Sequence, residues 1–134
     1  MELKRKDLLY PKLSYQIIGI LFDVYNQFGF RYQEKYYQRA IASVLKTTGL
    51  SFREQVPVKI HFHETDIARG IIDFIIEEKI VLEIKKGERF LKSNIDQVYG
   101  YLKATNLKLG ILANFTSRGL QFKRIVNLIS KNDS

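Results

Sequence analysis

The sequence predicts a mixed α/β protein in which a central sheet of four to five strands is flanked by helices. Three observations predict it: two amphipathic stretches open the chain, β-branched runs occupy its middle, and a further helix precedes the last apolar strands. The order α, α, β, β, β, α, β, followed by a basic end, favours a mixed sheet covered by helices. At 134 residues, we expect one domain over residues 1–134.

Two helices are predicted in the first third of the chain. Apolar residues recur at helical spacing from about Leu13 to Gln27, and Gly29 follows as a residue that tolerates positive φ at a helix end. A second helix is predicted from about Tyr32 to Thr48, ending at Gly49. Its apolar stripe consists of Tyr37, Ala40, Ile41, Val44 and Leu45.

Changes of period divide the rest of the chain. Strands are predicted over residues 52–62, 71–76, 80–85 and 107–115, where apolar and β-branched residues alternate or cluster. Ser93 is expected to cap a helix that runs to about Ala104, with Asp96 as a partner resembling that of a capping box. Residues 120–129 are predicted to form a last strand or a short helix.

Composition restricts the chemistry available to the chain. There is no cysteine, and the two histidines, His61 and His63, belong to no motif, so thiolate and His-rich zinc sites are disfavoured. A metal would need oxygen ligands, which points to Mg²⁺ or Mn²⁺. No apolar run approaches the ~20 residues of a membrane span. The charged N-terminal segment does not resemble a secretory signal, so we expect a cytoplasmic protein.

The chain is strongly basic. Its 22 basic and 14 acidic residues give a formal net charge of +8. Such a surface favours polyanions, above all nucleic acid, although many basic proteins bind none. The charge therefore makes DNA or RNA the first partner to consider, and a homodimer is a further possibility at this length.

The hairpin formed by residues 71–76 and 80–85 carries the main functional prediction. If Glu77–Lys79 form a three-residue turn, Asp73 lies directly opposite Glu83, with Cβ atoms roughly 4.5–5.5 Å apart. One face is then wholly apolar, comprising Ile72, Phe74, Ile76, Ile80, Leu82 and Ile84. The other face carries Asp73, Glu83 and Lys85 among Ile71, Ile75 and Val81.

Two opposed carboxylates on an apolar sheet repel each other and resist loss of water, so a positive group between them is expected. A divalent cation fills that role, and Lys85 projects to the same face as Glu83, where it can orient water or offset phosphate charge. Together these groups suit hydrolysis of a phosphodiester. The alternative is structural: Lys85 neutralises Asp73 and Glu83 in a partly buried ion network.

Asp73 followed by Glu83-Ile84-Lys85 resembles the core of the PD-(D/E)xK nuclease superfamily. Three further patterns resemble the GxxExxY family of that superfamily. They are E-x-x-Y from Glu34 to Tyr37, Q-x-x-x-Y from Gln97 to Tyr101, and the run YLKATNLKLGILANF that begins at Tyr101. The resemblance covers about residues 13–127 and implies a restriction-endonuclease-like core. The family's glycine three residues before the glutamate is Arg31 here, which puts the loop entering that helix in question.

The resemblance implies roles for individual residues. Asp73 and Glu83 would be metal ligands, Glu34 would complete the metal shell from the second helix, and Lys85 would position water or phosphate. Glu34 also precedes Tyr37 and Ile41 on one helical stripe and should point inward; alternatively, it is an acid favoured at a helix start by the helix dipole.

Four further residues are candidates for nucleic-acid contact: Lys86, Arg89, Lys92 and Gln97. For the three cations, a solvated loop is the alternative; for Gln97, it is a polar residue beside a packed tyrosine. The leading functional prediction is an Mg²⁺-dependent nuclease (or one using Mn²⁺). The alternatives are a non-cleaving nucleic-acid-binding module and a protein-interaction module that retains the nuclease fold.

Overall fold

The computed structural model of the chain describes residues 9–128, apart from the side chain of Phe62. The helices are α1 (Pro11–Phe28), α2 (Glu34–Thr48) and α3 (Lys92–Thr105), and the strands are β1 (Phe52–Phe62), β2 (Thr65–Ile76), β3 (Ile80–Lys86), β4 (Leu109–Thr116) and β5 (Gly119–Val126). The strands form one sheet in sequence order, in which β3 and β4 are parallel and the other neighbours antiparallel. The predicted mixed sheet flanked by helices is confirmed.

The first two helices end where glycine permits the required backbone. Gly29 follows α1 at φ 62°, and Gly49 follows α2 at φ 80° in the left-handed region. α1 begins two residues earlier than predicted, because Pro11 at its first turn has a φ that suits a helix start. Both predicted helices are therefore confirmed to within two residues at each end.

The capping prediction for α3 is wrong. The helix begins at Lys92, its N-cap is Leu91, and no side chain caps it. Asp96 instead accepts a hydrogen bond from the Lys92 ammonium at 2.7 Å, a pairing that suits the i, i+4 spacing. Ser93 thus lies inside the helix rather than before it.

The strand predictions differ from the structure mainly at their ends. β1 has the predicted bounds, but β2 begins at Thr65, six residues before the predicted start. Residues 65–69 are exposed and Gly70 is half-buried, and the segment lacks a strand-like apolar pattern, yet its backbone pairs with β1 in a long hairpin. The last element is the strand β5 rather than a helix; Ile129, its predicted end, lies outside the described residues.

The sheet is buried on both faces. One core cluster lies against α1 and α2, and a second lies under α3. The predicted apolar hairpin face is confirmed in the first cluster for Phe74, Ile76, Ile80, Leu82 and Ile84. Ile72 is the exception, because it packs in the second cluster with Ile75 and Val81. Ile72 and Phe74 thus face opposite sides of the sheet, so the regular alternation of side chains along β2 is interrupted at Asp73 between them.

α3 approaches the sheet closely at two glycines. A Cβ on Gly70 would lie 2.7 Å from the ring of Tyr101, and one on Gly110 would lie 2.6 Å from Cγ1 of Val98. Since real Cβ atoms do not come this close to a neighbour, the absence of a side chain at these positions lets α3 reach the sheet. Within residues 9–128, no helix has the length and apolar character needed to cross a membrane.

Candidate active site

The hairpin follows the predicted register as far as Phe74 and Leu82, but Asp73 and Glu83 lie side by side without the predicted direct strand pairing. Ile76 pairs with Ile80 across the Glu77–Lys79 turn, and the ladder continues to the pair Phe74 and Leu82. Regular pairing between β2 and β3 ends there, one step before Asp73 and Glu83. On the other side of β2, Gln55 is also outside the recorded pairs and has φ 51°. The site therefore lies where β2 leaves β3 and where its pairing with β1 is interrupted at a single residue.

Side-chain carboxylates replace the backbone ladder at this point. The Asp73 amide donates to Oε1 of Glu83 at 3.2 Å, and the Ile84 amide donates to Oδ2 of Asp73 at 2.8 Å. Asp73 is only 7% exposed and Glu83 only 4% exposed. The two acids thus satisfy amides that the parting strands would leave without acceptors, which explains how the sheet tolerates them here.

Both carboxyl groups resist ionisation. Burial raises the pKa of Asp73 to about 6, although the Ile84 amide and the Lys85 charge act in the opposite direction. Burial, and after it the charge of Asp73, raise the pKa of Glu83 to about 8. The described surroundings therefore provide too little positive charge to offset two buried carboxylates.

Among the described residues, Lys85 is the cation that pairs with Glu83. Its ammonium lies 3.7 Å from Oε2 of Glu83, and its side chain is 23% exposed. At this distance the ion pair is long, so the ammonium remains within reach of a second anion. The structure places Lys85 on the same face as Glu83 and open to the exterior.

Glu34 approaches the site from the first turn of α2. Its Oε2 accepts a hydrogen bond from the backbone amide of Lys86 at 3.2 Å, and its charge raises the pKa of both Asp73 and Glu83. It therefore points inward, as predicted from its helical stripe. Within residues 9–128, however, no three Asp, Glu or His side chains are arranged as a ready metal cluster.

Tyr37 fixes the helix that carries Glu34. Its hydroxyl donates to the carbonyl of Gly29 at 2.6 Å and accepts from the Tyr32 amide at 3.2 Å. Its ring stacks on Phe115 of β4, with centroids 4.2 Å apart. The tyrosine of the E-x-x-Y pattern thus anchors the start of α2, together with Glu34, to the sheet.

The loop before α2 accommodates Arg31 at the position where the family has glycine. Arg31 is exposed and has no positive φ, whereas Gly29 has a positive φ in that loop.

Two glutamines that sequence reasoning missed complete the surroundings of Asp73. The Gln38 amide donates to Oδ1 of Asp73 at 3.2 Å, and the Gln55 amide donates to Oε1 of Gln38 at 3.3 Å. Gln38 directly follows the E-x-x-Y pattern, which was the signal available for it. Gln55 offers no such signal, because its position follows from the irregular pairing of β1.

Tyr101 and Gln97, the two residues of the Q-x-x-x-Y pattern, lie in different environments. Tyr101 is buried, and its hydroxyl donates to the carbonyl of Ile71 at 3.3 Å. Burial raises its pKa to about 12, and the charges of Glu83 and Asp73 contribute, so it lies near the carboxylates. Gln97 is exposed on α3 and has no described contact with them.

The predicted nucleic-acid cations are divided as well. Lys86 and Arg89 line a cleft of about 510 Å³ beside β4, whereas Lys92 is paired with Asp96 on the surface of α3. Asn114 also lines this cleft, and sequence reasoning missed it. Asn114 is 2% exposed and pairs in register with Lys85 across the parallel strands β3 and β4. Paired residues on neighbouring strands share a face of the sheet.

The mixed sheet, the two carboxylates and the lysine define an α/β protein of the restriction-endonuclease-like class. A family model described as the PD-(D/E)XK nuclease superfamily matches residues 11–125, and the chain therefore belongs to that superfamily. Nucleases of this superfamily typically use divalent metals and act on nucleic acid.

Solved structures add support for the fold. The crystal structure of SSO0001 matches the chain with a TM-score of 0.58 at 22% sequence identity. The match covers 73% of this chain and 52% of that one, so this chain spans about half the length of SSO0001. Among curated proteins, none matches the chain.

Proposed function

We propose that the chain is a metal-dependent nuclease that hydrolyses phosphodiester bonds of DNA or RNA, with Asp73, Glu83, Lys85 and Glu34 as its catalytic residues. One observation carries this proposal: two buried carboxyl groups lie side by side at the point where β2 leaves β3, with the Lys85 ammonium next to them. A purely structural ion network would need to offset the raised pKa of both acids, and Lys85 alone does not.

The donor atoms fit a divalent cation such as Mg²⁺ or Mn²⁺. Asp73 and Glu83 supply adjacent carboxylate oxygens, and Glu34 completes the set if its oxygen leaves the Lys86 amide. A cation held there would activate water and offset charge on a phosphate. Because Glu83, with a pKa of about 8, holds a proton near neutrality, the cation must displace that proton.

Lys85 supplies the positive charge that faces the substrate. Its ammonium contacts Glu83 loosely and is partly exposed, so it can donate to a phosphate oxygen while Glu83 remains beside it. Gln38 holds Oδ1 of Asp73, and the Ile84 amide holds Oδ2, which fixes the plane of that carboxylate. These contacts orient the carboxylate before a substrate arrives.

The assignment to the GxxExxY family is part of the same proposal. Its sequence pattern corresponds to structural features of this chain: Tyr37 anchors Glu34, and Tyr101 lies near the carboxylates. The run of residues 101–115 contributes the end of α3 and most of β4.

Cleavage assays test the proposed function. Purified protein is mixed with fluorescent single- and double-stranded DNA and RNA, with Mg²⁺ or Mn²⁺ or with a chelator. Cleavage is expected only with a metal, and Asp73→Asn and Glu83→Gln should each abolish it. Glu54→Gln is the matched control, because Glu54 is an exposed carboxylate on β1. Binding without cleavage under any metal would instead support the non-cleaving module.

A further inference from the structure

We propose that the cleft lined by Asn114, Lys86 and Arg89 binds a phosphate group of the substrate next to the one that faces Lys85. This inference rests on the proposed function insofar as the phosphate belongs to a nucleic acid. The cleft has a volume of about 510 Å³ and lies between the loop after β3, the first turn of α3 and the end of β4. It therefore opens at the carboxyl ends of two parallel strands, a common location for ligands in α/β sheets.

The buried amide of Asn114 points to a missing acceptor. Asn114 is 2% exposed, and its Nδ2 atom has no hydrogen-bond partner within residues 9–128. A buried donor without an acceptor is unfavourable, because it has lost its hydrogen bond to water, and such groups are rare in proteins. A ligand that brings an acceptor oxygen would remove this cost. Rotation about χ2 exchanges the two amide atoms, so the nitrogen can turn towards the cleft.

The charge around the cleft selects an anion. Arg89 is exposed and makes no hydrogen bond or ion pair with the described residues. The Lys86 ammonium lies over the ring of Phe30, 4.4 Å from its centroid, and is likewise not paired with an acid in the described part of the chain. Among the described residues that line the cleft, Glu88 is the carboxylate, and it accepts a hydrogen bond from Ser117 at 2.7 Å. An arginine beside an amide donor suits phosphate oxygens.

The position of Asn114 connects the cleft to the reaction. Asn114 pairs with Lys85, so its side chain lies one strand away on the same face, and strands are about 4.8 Å apart. Lys85 already faces the phosphate to be cleaved. The Asn114 cleft is thus placed to hold a neighbouring phosphate of the same chain, which would fix the register of the substrate.

The first test uses inorganic phosphate without divalent metal. The side-chain amide resonance of Asn114 is followed by NMR and should shift saturably in about the millimolar range. Arg89→Ala should weaken this binding about 10-fold. Lys46→Ala should not weaken it, because Lys46 lies about 18 Å along α2 from Glu34. Shifts that sodium chloride reproduces at equal ionic strength, or an unaffected Asn114 resonance, would overturn the proposal.

The second test uses an oligonucleotide and the Asn114→Leu variant in an Asp73→Asn background. Affinity measured by fluorescence anisotropy should fall about 10-fold, equivalent to about 1.4 kcal/mol. The variant should melt no lower than its parent, because it removes an unsatisfied buried donor. Saturable phosphate binding without cleavage by the wild type would support the subsite and refute the nuclease. If Asn114→Leu alone cleaves the substrate with an unchanged KM, the nuclease would be supported and the phosphate subsite refuted.

Discussion

Asp73 and Glu83 are the residues at which stability and proposed function conflict. They accept hydrogen bonds from backbone amides that the parting strands leave unpaired, which favours the fold. Their burial also raises both pKa values, which disfavours the charged state. The folded state is therefore most stable when the two carboxyl groups hold protons or, on our proposal, a cation.

Metal-free stability should fall as pH rises from about 4 to 8. The pKa values in the fold, about 6 for Asp73 and about 8 for Glu83, exceed those of unfolded acids, so the folded state binds more protons in this window. Chemical denaturation in a chelator should show a total loss on the order of several kcal/mol. Glu83→Gln should flatten this dependence, whereas Glu54→Gln should keep the wild-type slope. A slope that Glu83→Gln leaves intact would assign the effect to other groups.

Lys85 is expected to affect the reaction rather than the fold. Lys85→Met should lower the cleavage rate about 100-fold or more, because the ammonium next to Glu83 is lost. The melting temperature of this variant at pH 7 should stay near that of the wild type, since the contact is long at 3.7 Å and Glu83, with a pKa of about 8, is largely protonated there. Rate and oligonucleotide affinity are measured together, with Lys46→Met as the control. Equal losses in both quantities would mean that Lys85 only binds.

At the scale of elements, the contact between α3 and the sheet depends on the missing side chain of Gly110. Tyr101 lies on the same helix, and its hydroxyl reaches Ile71, two residues before Asp73. The close approach of α3 to β4 at Gly110 therefore helps to hold Tyr101 in its contact with Ile71.

Gly110→Ala should destabilise the protein by about 1–3 kcal/mol, because the new methyl would lie 2.6 Å from Val98. Adding Val98→Ala should recover part of this loss by making room, and the double variant measured by denaturation completes the cycle. Gly19→Ala is the control: no atom lies within 4 Å of the added methyl, so α1 should gain about 0.5–1 kcal/mol. Additive losses in the double variant would show that Val98 is not the obstacle.

At the scale of the whole molecule, a bound cation should appear as added stability. With Mg²⁺ or Mn²⁺ at about ten times its Kd, the gain is about 1.4 kcal/mol, or about 4–6 °C in Tm. The gain should be larger at pH 8 than at pH 6, because fewer protons compete for Asp73 and Glu83. Asp73→Asn should remove the gain, and Glu54→Gln should retain it. Equal gains in all three proteins would place the cation elsewhere.

The sequence by itself determined the elements and the central pair of the site. Helical periodicity and the glycines after α1 and α2 are local features that predict the first two helices. The apolar residues on either side of Glu77–Lys79 predict the hairpin register, which the structure follows as far as Phe74 and Leu82. The tertiary structure decided what no local pattern encodes. The end of β2–β3 pairing just before Asp73 is one such feature. The contact of Gln38 with Asp73 and the pairing of Asn114 with Lys85 join distant parts of the chain. These contacts depend on how the strands and helices pack, and local patterns in the sequence carry no record of that packing.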